Sequence, residues 1–192
     1  MRIVAGRHKG RRIAAPEGQD VRPTSDRARE SLFNILAHNP RLGAGDDGAP
    51  IRDAIVLDAF AGCGALGLEA LSRGAAHAIF LDSDFEALRS IKANAEMLGE
   101  LANATILKAD ATKPPKATRT AGLVFLDPPY GKGLAAPALT ALTAAGWIAP
   151  GAGVSVETGP GEDFAAPEGF VLIDARRYGK ATITLLRYGD DS

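Results

Sequence analysis

Four acids stand where strands should end. Asp58 closes AIVLD, Asp82 closes HAIFLD, Asp110 closes ATILKAD and Asp127 closes LVFLD. Asp58 leads into Gly62-x-Gly64-x-x-Gly67, and Asp127 leads straight into Pro128, Pro129 and Tyr130. Acids also cap helices, so one such position would mean little. Four in succession, at the sheet edge where ligands bind, point to chemistry.

The glycine spacing follows a strand and opens a helix, and Asp82 comes about twenty residues on, as in dinucleotide-binding turns. Glycines let a backbone pass close to a ligand. An acid at the end of the next strand can take both hydroxyls of a ribose. Asp58 changes the reading, because a carboxylate just ahead of the loop opposes a pyrophosphate and suits a cation. S-adenosylmethionine has a ribose, an adenine, an ammonium and a sulfonium, and no phosphate. It is preferred here to NAD. Asp110 is then placed to accept from the adenine amino group.

The second constellation is Asp127-Pro128-Pro129-Tyr130. Proline lacks an N–H and cannot continue a central ladder. The strand therefore stops with backbone carbonyls unpaired and facing the site. A carbonyl and the Asp127 carboxylate are two acceptors side by side, and an exocyclic amino group offers two donors. Tyr130 adds a flat face for stacking. The expectation is a turn that holds an amino group on an aromatic ring with its nitrogen aimed at a methyl donor. Asp127, Pro128, Pro129 and Tyr130 form the catalytic set. No metal is expected: His8, His38 and His77 are scattered, and Cys63 is the only cysteine. Cys63 lacks a neighbouring base in the sequence and reads as packing.

The surrounding pattern supplies the elements. From residue 54 onward, strand-like and helix-like runs alternate, which means parallel βαβ units and a doubly wound α/β sheet. The helices are expected in GALGLEALSRG, DFEALRSIKANAEML and LAAPALTALTAAG, and a fifth parallel strand in GVSVE. The tail FVLIDARRYGKATITLLRY breaks the alternation and reads as an antiparallel hairpin. RIVAG-RHKG-RRIAA looks like two short strands around a turn. RPTSDRARESLFNIL then starts a helix near Asp26, with Ala28, Leu32, Ile35 and Leu36 on one face. The division predicted is 1–38, a basic hairpin and helix extension; 39–53, a flexible Gly/Pro/Asp-rich loop; and 54–192, the catalytic domain.

At 192 residues, 46% hydrophobic and 23% charged, the chain has the composition of one ordinary globular domain. One cysteine precludes an internal disulfide and fits a reducing, cytoplasmic setting. No run is long and apolar enough for a signal peptide core or a membrane span. The net charge of −1 hides an asymmetry: residues 1–30 hold eight Lys/Arg against four Asp/Glu, and the rest holds fourteen against nineteen. Such a basic arm can meet a polyanion, or can simply protect an exposed strand edge.

Taken together, the chain resembles the bacterial RsmD-type 16S rRNA guanine-N2 methyltransferases. The resemblance runs nearly end to end, through RIVAG, KGRRI, RPTSDRARESLFNIL, DAFAGCGALGLEALSRGA, DPPYGKG and YGKATITLLRY. DPPY alone is shared with DNA amino-methyltransferases; the combination is specific. It implies a class I S-adenosylmethionine-dependent methyltransferase fold with a small N-terminal extension. Asp58, Gly62, Gly64 and Gly67 would form the cofactor loop, with Asp82 on the ribose and Asp110 on the adenine. Asp127, Pro128 and Tyr130 would hold the N2 amino group, by resemblance that of guanine 966 in 16S rRNA. Arg2, Arg7, Lys9, Arg11, Arg12, Arg22, Thr24, Arg27 and Arg29 would meet RNA, presented in small-subunit assembly particles. No obligate protein partner is apparent. Asp82 stands where glutamate is more usual, and Cys63 where serine is common. The rival readings are a DNA amino-methyltransferase, a small-molecule or protein-glutamine methyltransferase, and a non-catalytic RNA-binding assembly factor.

Overall fold

Residues 54–59 run almost wholly apolar, as a parallel strand covered on both faces should. The computed structural model describes residues 1–15, 26–42 and 51–189. The described residues form seven strands: β1 (Ile55–Ala59), β2 (His77–Asp82), β3 (Ala104–Lys108), β4 (Ala121–Leu126), β5 (Ile148–Thr158), β6 (Phe170–Tyr178) and β7 (Ala181–Tyr188). They form one sheet in the order β3-β2-β1-β4-β5-β7-β6. The first five are parallel, β7 runs antiparallel to β5, and β6 antiparallel to β7. The helices are α1 (Asp26–His38), α2 (Ala65–Ser72), α3 (Phe85–Leu98) and α4 (Ala135–Ala144).

Alternate strand residues feed two cores. Val56, Phe80, Leu123 and Phe125 pack on one face with α1, α2 and α3. Leu57, Ile79, Val124 and Val154 pack on the other with α4 and Trp147. The doubly wound α/β architecture with an antiparallel C-terminal hairpin is therefore as expected. Helix ends follow the local chemistry: Asp84 accepts from the Glu86 N–H at the start of α3, and Gly99 ends it at φ 75°. β5 begins at Ile148, earlier than GVSVE implied. Ile148 pairs with Ala121, and the register then shifts around Pro150 and Gly151 before Gly153 joins Leu123.

Three local expectations need correction. The N-terminal strands shrink to one antiparallel bridge, Arg2 with Arg12, continued by turn hydrogen bonds among residues 1–13. The buried stripe of α1 is Arg29, Leu32, Phe33 and Leu36, while Ala28 and Ile35 are half-buried. A buried arginine at the first position of that stripe concealed it. Nor are both ends of the 39–53 loop free. Leu42, in the 3-10 turn Pro40–Leu42, is fully buried, and its carbonyl lies so close to Gly153 that any Cβ there would collide. Ile51 is also buried; residues 43–50 lie outside the described ones. Ile3, Ile13, Phe33 and Leu36 share the core of the sheet, so residues 1–15 and 26–38 pack as part of the same body.

Candidate active site

The chain leaves β1 for β2 and β3 on one side, and β4 leads to β5 on the other. The strand order reverses between β1 and β4, and a ligand crevice opens beyond the carboxyl ends of such a pair. Ala59 pairs with Leu126. The glycine loop and the Asp127 turn therefore begin side by side, roughly 5 Å apart, the spacing of neighbouring strands.

The glycine loop is held from below by carboxylates. Asp58 is buried, and its Oδ2 accepts from the Gly67 N–H at 2.8 Å. Burial pushes the Asp58 carboxyl up to about 8; the Gly67 amide opposes the rise, and the charge of Asp82 adds to it. Asp82 accepts from the Gly62 N–H at 2.8 Å through one oxygen and from the Asp84 N–H at 2.9 Å through the other. The turn is tight enough to place Phe60 at φ 63°, a left-handed conformation rare for a bulky residue.

The three glycines differ in purpose. Gly62, at φ 54°, faces open space, so nothing of the protein fills the place a side chain would take. A Cβ on Gly64 would crowd Ile91 and Phe80, and one on Gly67 would come within 2.3 Å of the Phe80 ring. Gly67 thus permits close packing of α2 on β2, the third-glycine role of nucleotide loops. Cys63 is buried 3.9 Å from the Met1 sulfur, and burial raises its thiol. It packs, as expected. Asp110 is exposed beyond β3, and the Thr112 hydroxyl and amide hold its carboxyl below the usual range.

Asp127 is half-buried just past β4, Pro128 is buried, and Pro129 is exposed. Among the described residues, no hydrogen bond reaches the Pro128 carbonyl, the orphan acceptor the sequence implies. Tyr130 lies with its ring against Gly159, where a Cβ would come within 2.7 Å of it. Its hydroxyl donates to Glu157 Oε1 at 2.5 Å, and the residue remains 42% exposed, so ring surface is left open.

Glu157 and Glu162 escaped sequence reasoning. Glu157 ends β5 and obeys the same strand-end rule that singled out the other four acids, so extending that rule by one strand would have found it. Glu162 accepts from the N–H groups of Gly131, Gly133 and Gly159, each at 3.1 Å. Burial raises its carboxyl, the three amides outweigh that effect, and the net displacement is downward. No short-range pattern announces a partner about thirty residues away.

The basic arm divides. The Val4 and Ala5 amides donate to buried Glu69 on α2, and the Arg7 and His8 amides to the Ser72 carbonyl and hydroxyl. Ser72 ends α2, so the hairpin tip sits about one eight-residue helix length, roughly 12 Å, from the glycine loop. Arg7 pairs with buried Glu100 at 2.7 Å, beside His8. Burial raises the Glu100 carboxyl, but Asn103, His8 and Arg7 outweigh it and lower the net value. Arg11 donates to the Met97 carbonyl, and Arg2 pairs with Asp26. Lys9, Arg12 and Arg27 are exposed and have no ion-pair partner among the described residues. Arg29 corrects an expectation: it is wholly buried, donating to the Arg2 carbonyl and to Asp26, and in this structure it cannot reach a phosphate. Arg22 and Thr24 lie outside the described residues. Among the described residues no group of acids, histidines and cysteine is arranged to hold a metal, and no helix is long and apolar enough to cross a membrane.

Comparison with known proteins places the chain in a family. The model of the family described as conserved hypothetical protein 95 matches residues 1–187. The ribosomal RNA small subunit methyltransferase D of Haemophilus influenzae is 34% identical over 185 residues, covering 93% of this chain and 89% of that protein. A solved structure titled as the putative methyltransferase yhhF from Escherichia coli superposes with a TM-score of 0.82 at 34% identity, covering 98% of each chain. An RNA methyltransferase from Salinibacter ruber, solved in complex with S-adenosyl-L-homocysteine, has a TM-score of 0.64 over 88% of this chain and 95% of its own. At 13% identity that likeness concerns the fold alone.

Proposed function

From a chain that belongs to the conserved hypothetical protein 95 family, the family of the RsmD-type resemblance, we propose an enzyme that methylates the exocyclic N2 of a guanine in 16S rRNA. The methyl donor is S-adenosylmethionine. By the resemblance the target is guanine 966, in small-subunit assembly particles. The observation that carries the reading is the adjacency, across one pair of parallel strands, of a carboxylate-backed glycine loop and an Asp-Pro-Pro-Tyr turn with an unused carbonyl.

The residues fit the donor. Gly62 opens onto space a ligand can enter, and Asp82 has lone pairs left for ribose hydroxyls after binding two amides. Asp58 is an acid raised to about 8, so a nearby cation would favour its ionised form. Its burial means that its charge acts through the loop. When bound, the cofactor supplies a methyl carbon made electrophilic by positive sulfur.

The protein's own groups prepare the nucleophile. The lone pair of N2 is delocalised into the guanine ring. Asp127 and the Pro128 carbonyl accept the two N2 hydrogens, which favours a pyramidal nitrogen with its lone pair directed at the methyl. Tyr130 stacks on the base and fixes its plane. Orientation of this kind can lower a barrier by roughly 7–11 kcal/mol. The N2–methyl bond forms as the sulfur–methyl bond breaks, and the surplus proton leaves N2 through Asp127 or water. A guanine must be unpaired or flipped to enter such a pocket. Among the described residues of the predicted RNA-binding set, Lys9, Arg12 and Arg27 are placed to meet phosphates, with Arg2, Arg7 and Arg11 engaged within the protein.

The test is transfer of labelled methyl to three substrates: small-subunit particles from a strain lacking the enzyme, naked 16S rRNA, and genomic DNA. Digestion to nucleosides should return label as N2-methylguanosine from particles. Label as methyladenine in DNA would refute the proposal. Asp127→Ala should abolish transfer, by about a hundredfold or more, the scale of losing one preorganised polar partner in a reaction site.

A further inference from the structure

The Asp-Pro-Pro-Tyr turn is not self-supporting. Its aromatic ring is fixed from the β5 side at two places. The hydroxyl donates to Glu157, a buried carboxylate at the next-to-last position of that strand, at 2.5 Å. The ring rests against Gly159, which has no Cβ to displace it. The backbone following the ring is fixed from the same side. Glu162 gathers the amides of Gly131, Gly133 and Gly159 on one carboxylate, tying the loop after β4 to the loop after β5.

We propose that Glu157 and Glu162 are positioning residues that preorganise the base-stacking platform: Glu157 sets the Tyr130 ring, and Glu162 sets the backbone that follows the ring against the Gly159 loop. The inference rests on the reading of Tyr130 as the target-base platform. Neither carboxylate need touch substrate. Glu157 acts through the Tyr130 hydroxyl, and Glu162 acts through three backbone amides. Gly131 and Gly133, both at positive φ, are left without side chains that could anchor the loop, so the anchor has to come from elsewhere. A phenol donating to a carboxylate is a charge-assisted bond, stronger and more directional than a neutral one. The E-T-G-P-G-E stretch from Glu157 to Glu162 thereby holds an acid for the ring, a glycine for its contact and an acid for the loop.

Single-turnover methyl transfer to particles is measured beside S-adenosylmethionine affinity by calorimetry. Glu157→Ala should slow transfer about tenfold, the scale of one hydrogen bond to a charged group, with cofactor affinity unchanged. Glu157→Gln keeps an oxygen that accepts from the hydroxyl and should recover most of the rate. Tyr130→Phe should lose about as much as Glu157→Ala, and the double variant no more than either alone, because both remove one bond. Glu162→Ala should also slow transfer without changing cofactor affinity. Additive losses in the double variant overturn the proposal. So does an unchanged rate in Glu157→Ala and Glu162→Ala, or a loss of cofactor affinity in step with rate. Tyr130→Ala separates the two levels. Full activity there sinks the platform reading itself; an inactive Tyr130→Ala beside fully active glutamate variants sinks only the positioning.

Discussion

The two halves of the site are built by the same device with opposite wiring. On the β1 side, the carboxylates that staple the glycine loop, Asp58 and Asp82, come from the strand before the loop and the strand after it. On the β4 side, the stapling acids, Glu157 and Glu162, come from β5 and beyond. The first half takes its support from the same conspicuous acids that the proposed function assigns to the donor. The second draws its support from residues about thirty positions away, apart from the Asp127 that the proposed function aims at the base. A donor that is the same in every turnover suits a fused design. A bulky base that must enter and leave suits a platform whose support stays behind it.

Asp58→Asn should sharpen the contrast most. A folded carboxyl raised to about 8 binds its proton more tightly than the unfolded chain does. Asp58 therefore costs no stability below the ordinary carboxylate range, and increasingly destabilises the fold as pH rises from about 4 to about 8. Asparagine keeps an oxygen for the Gly67 amide and cannot ionise. The variant should be more stable at pH near 8, by about 2–5 kcal/mol from the pKa displacement. It should bind S-adenosylmethionine more weakly. Paired thermal melts and calorimetry check both signs. In the wild type, cofactor affinity should rise with pH up to about 8, because binding a cation favours proton release from Asp58. A flat profile would break the assignment of Asp58 to the donor's charge.

Gly67→Ala comes next. Its Cβ would meet the Phe80 ring at 2.3 Å. Overpacking of this kind costs about 1–3 kcal/mol, read as a lower urea midpoint. Gly62→Ala, which meets only the strain of its positive φ and no neighbouring atom, should be destabilised less and lose cofactor affinity more. If the two variants behave alike, the glycines do not divide packing from ligand access as proposed. The smallest effect concerns the basic arm. Replacing Lys9 and Arg12 by Ala should reduce the salt dependence of RNA binding by up to about two in log–log slope. Replacing Arg7 and Arg11, already tied to Glu100 and Met97, should reduce it less.

The parallel sheet was legible because its strands are continuous apolar runs, and the grouping of Asp58 and Asp82 with the glycine loop because they are close in sequence. The α1 stripe was misplaced because Arg29 occupies a core position. Its charge is compensated by the Arg2 carbonyl and Asp26, one of which belongs to a different segment. Glu162 was hidden for the same reason: its meaning lies in amides that only the fold brings near. Leu42 looked like loop because its neighbours are Gly, Pro and Asp, and nothing local records that Gly153 opens a place for its carbonyl.

The arm is fastened by its backbone. Amides of Val4, Ala5, Arg7, His8 and Ala14 reach Glu69, Ser72 and Asn94, and Asn94 in turn donates to the Cys63 carbonyl in the glycine loop. An attachment made through peptide groups is indifferent to most of the side chains it carries. Exposed side chains that make no such contact, Lys9 and Arg12 among them, can therefore drift while the arm keeps its seat and the glycine loop keeps its shape.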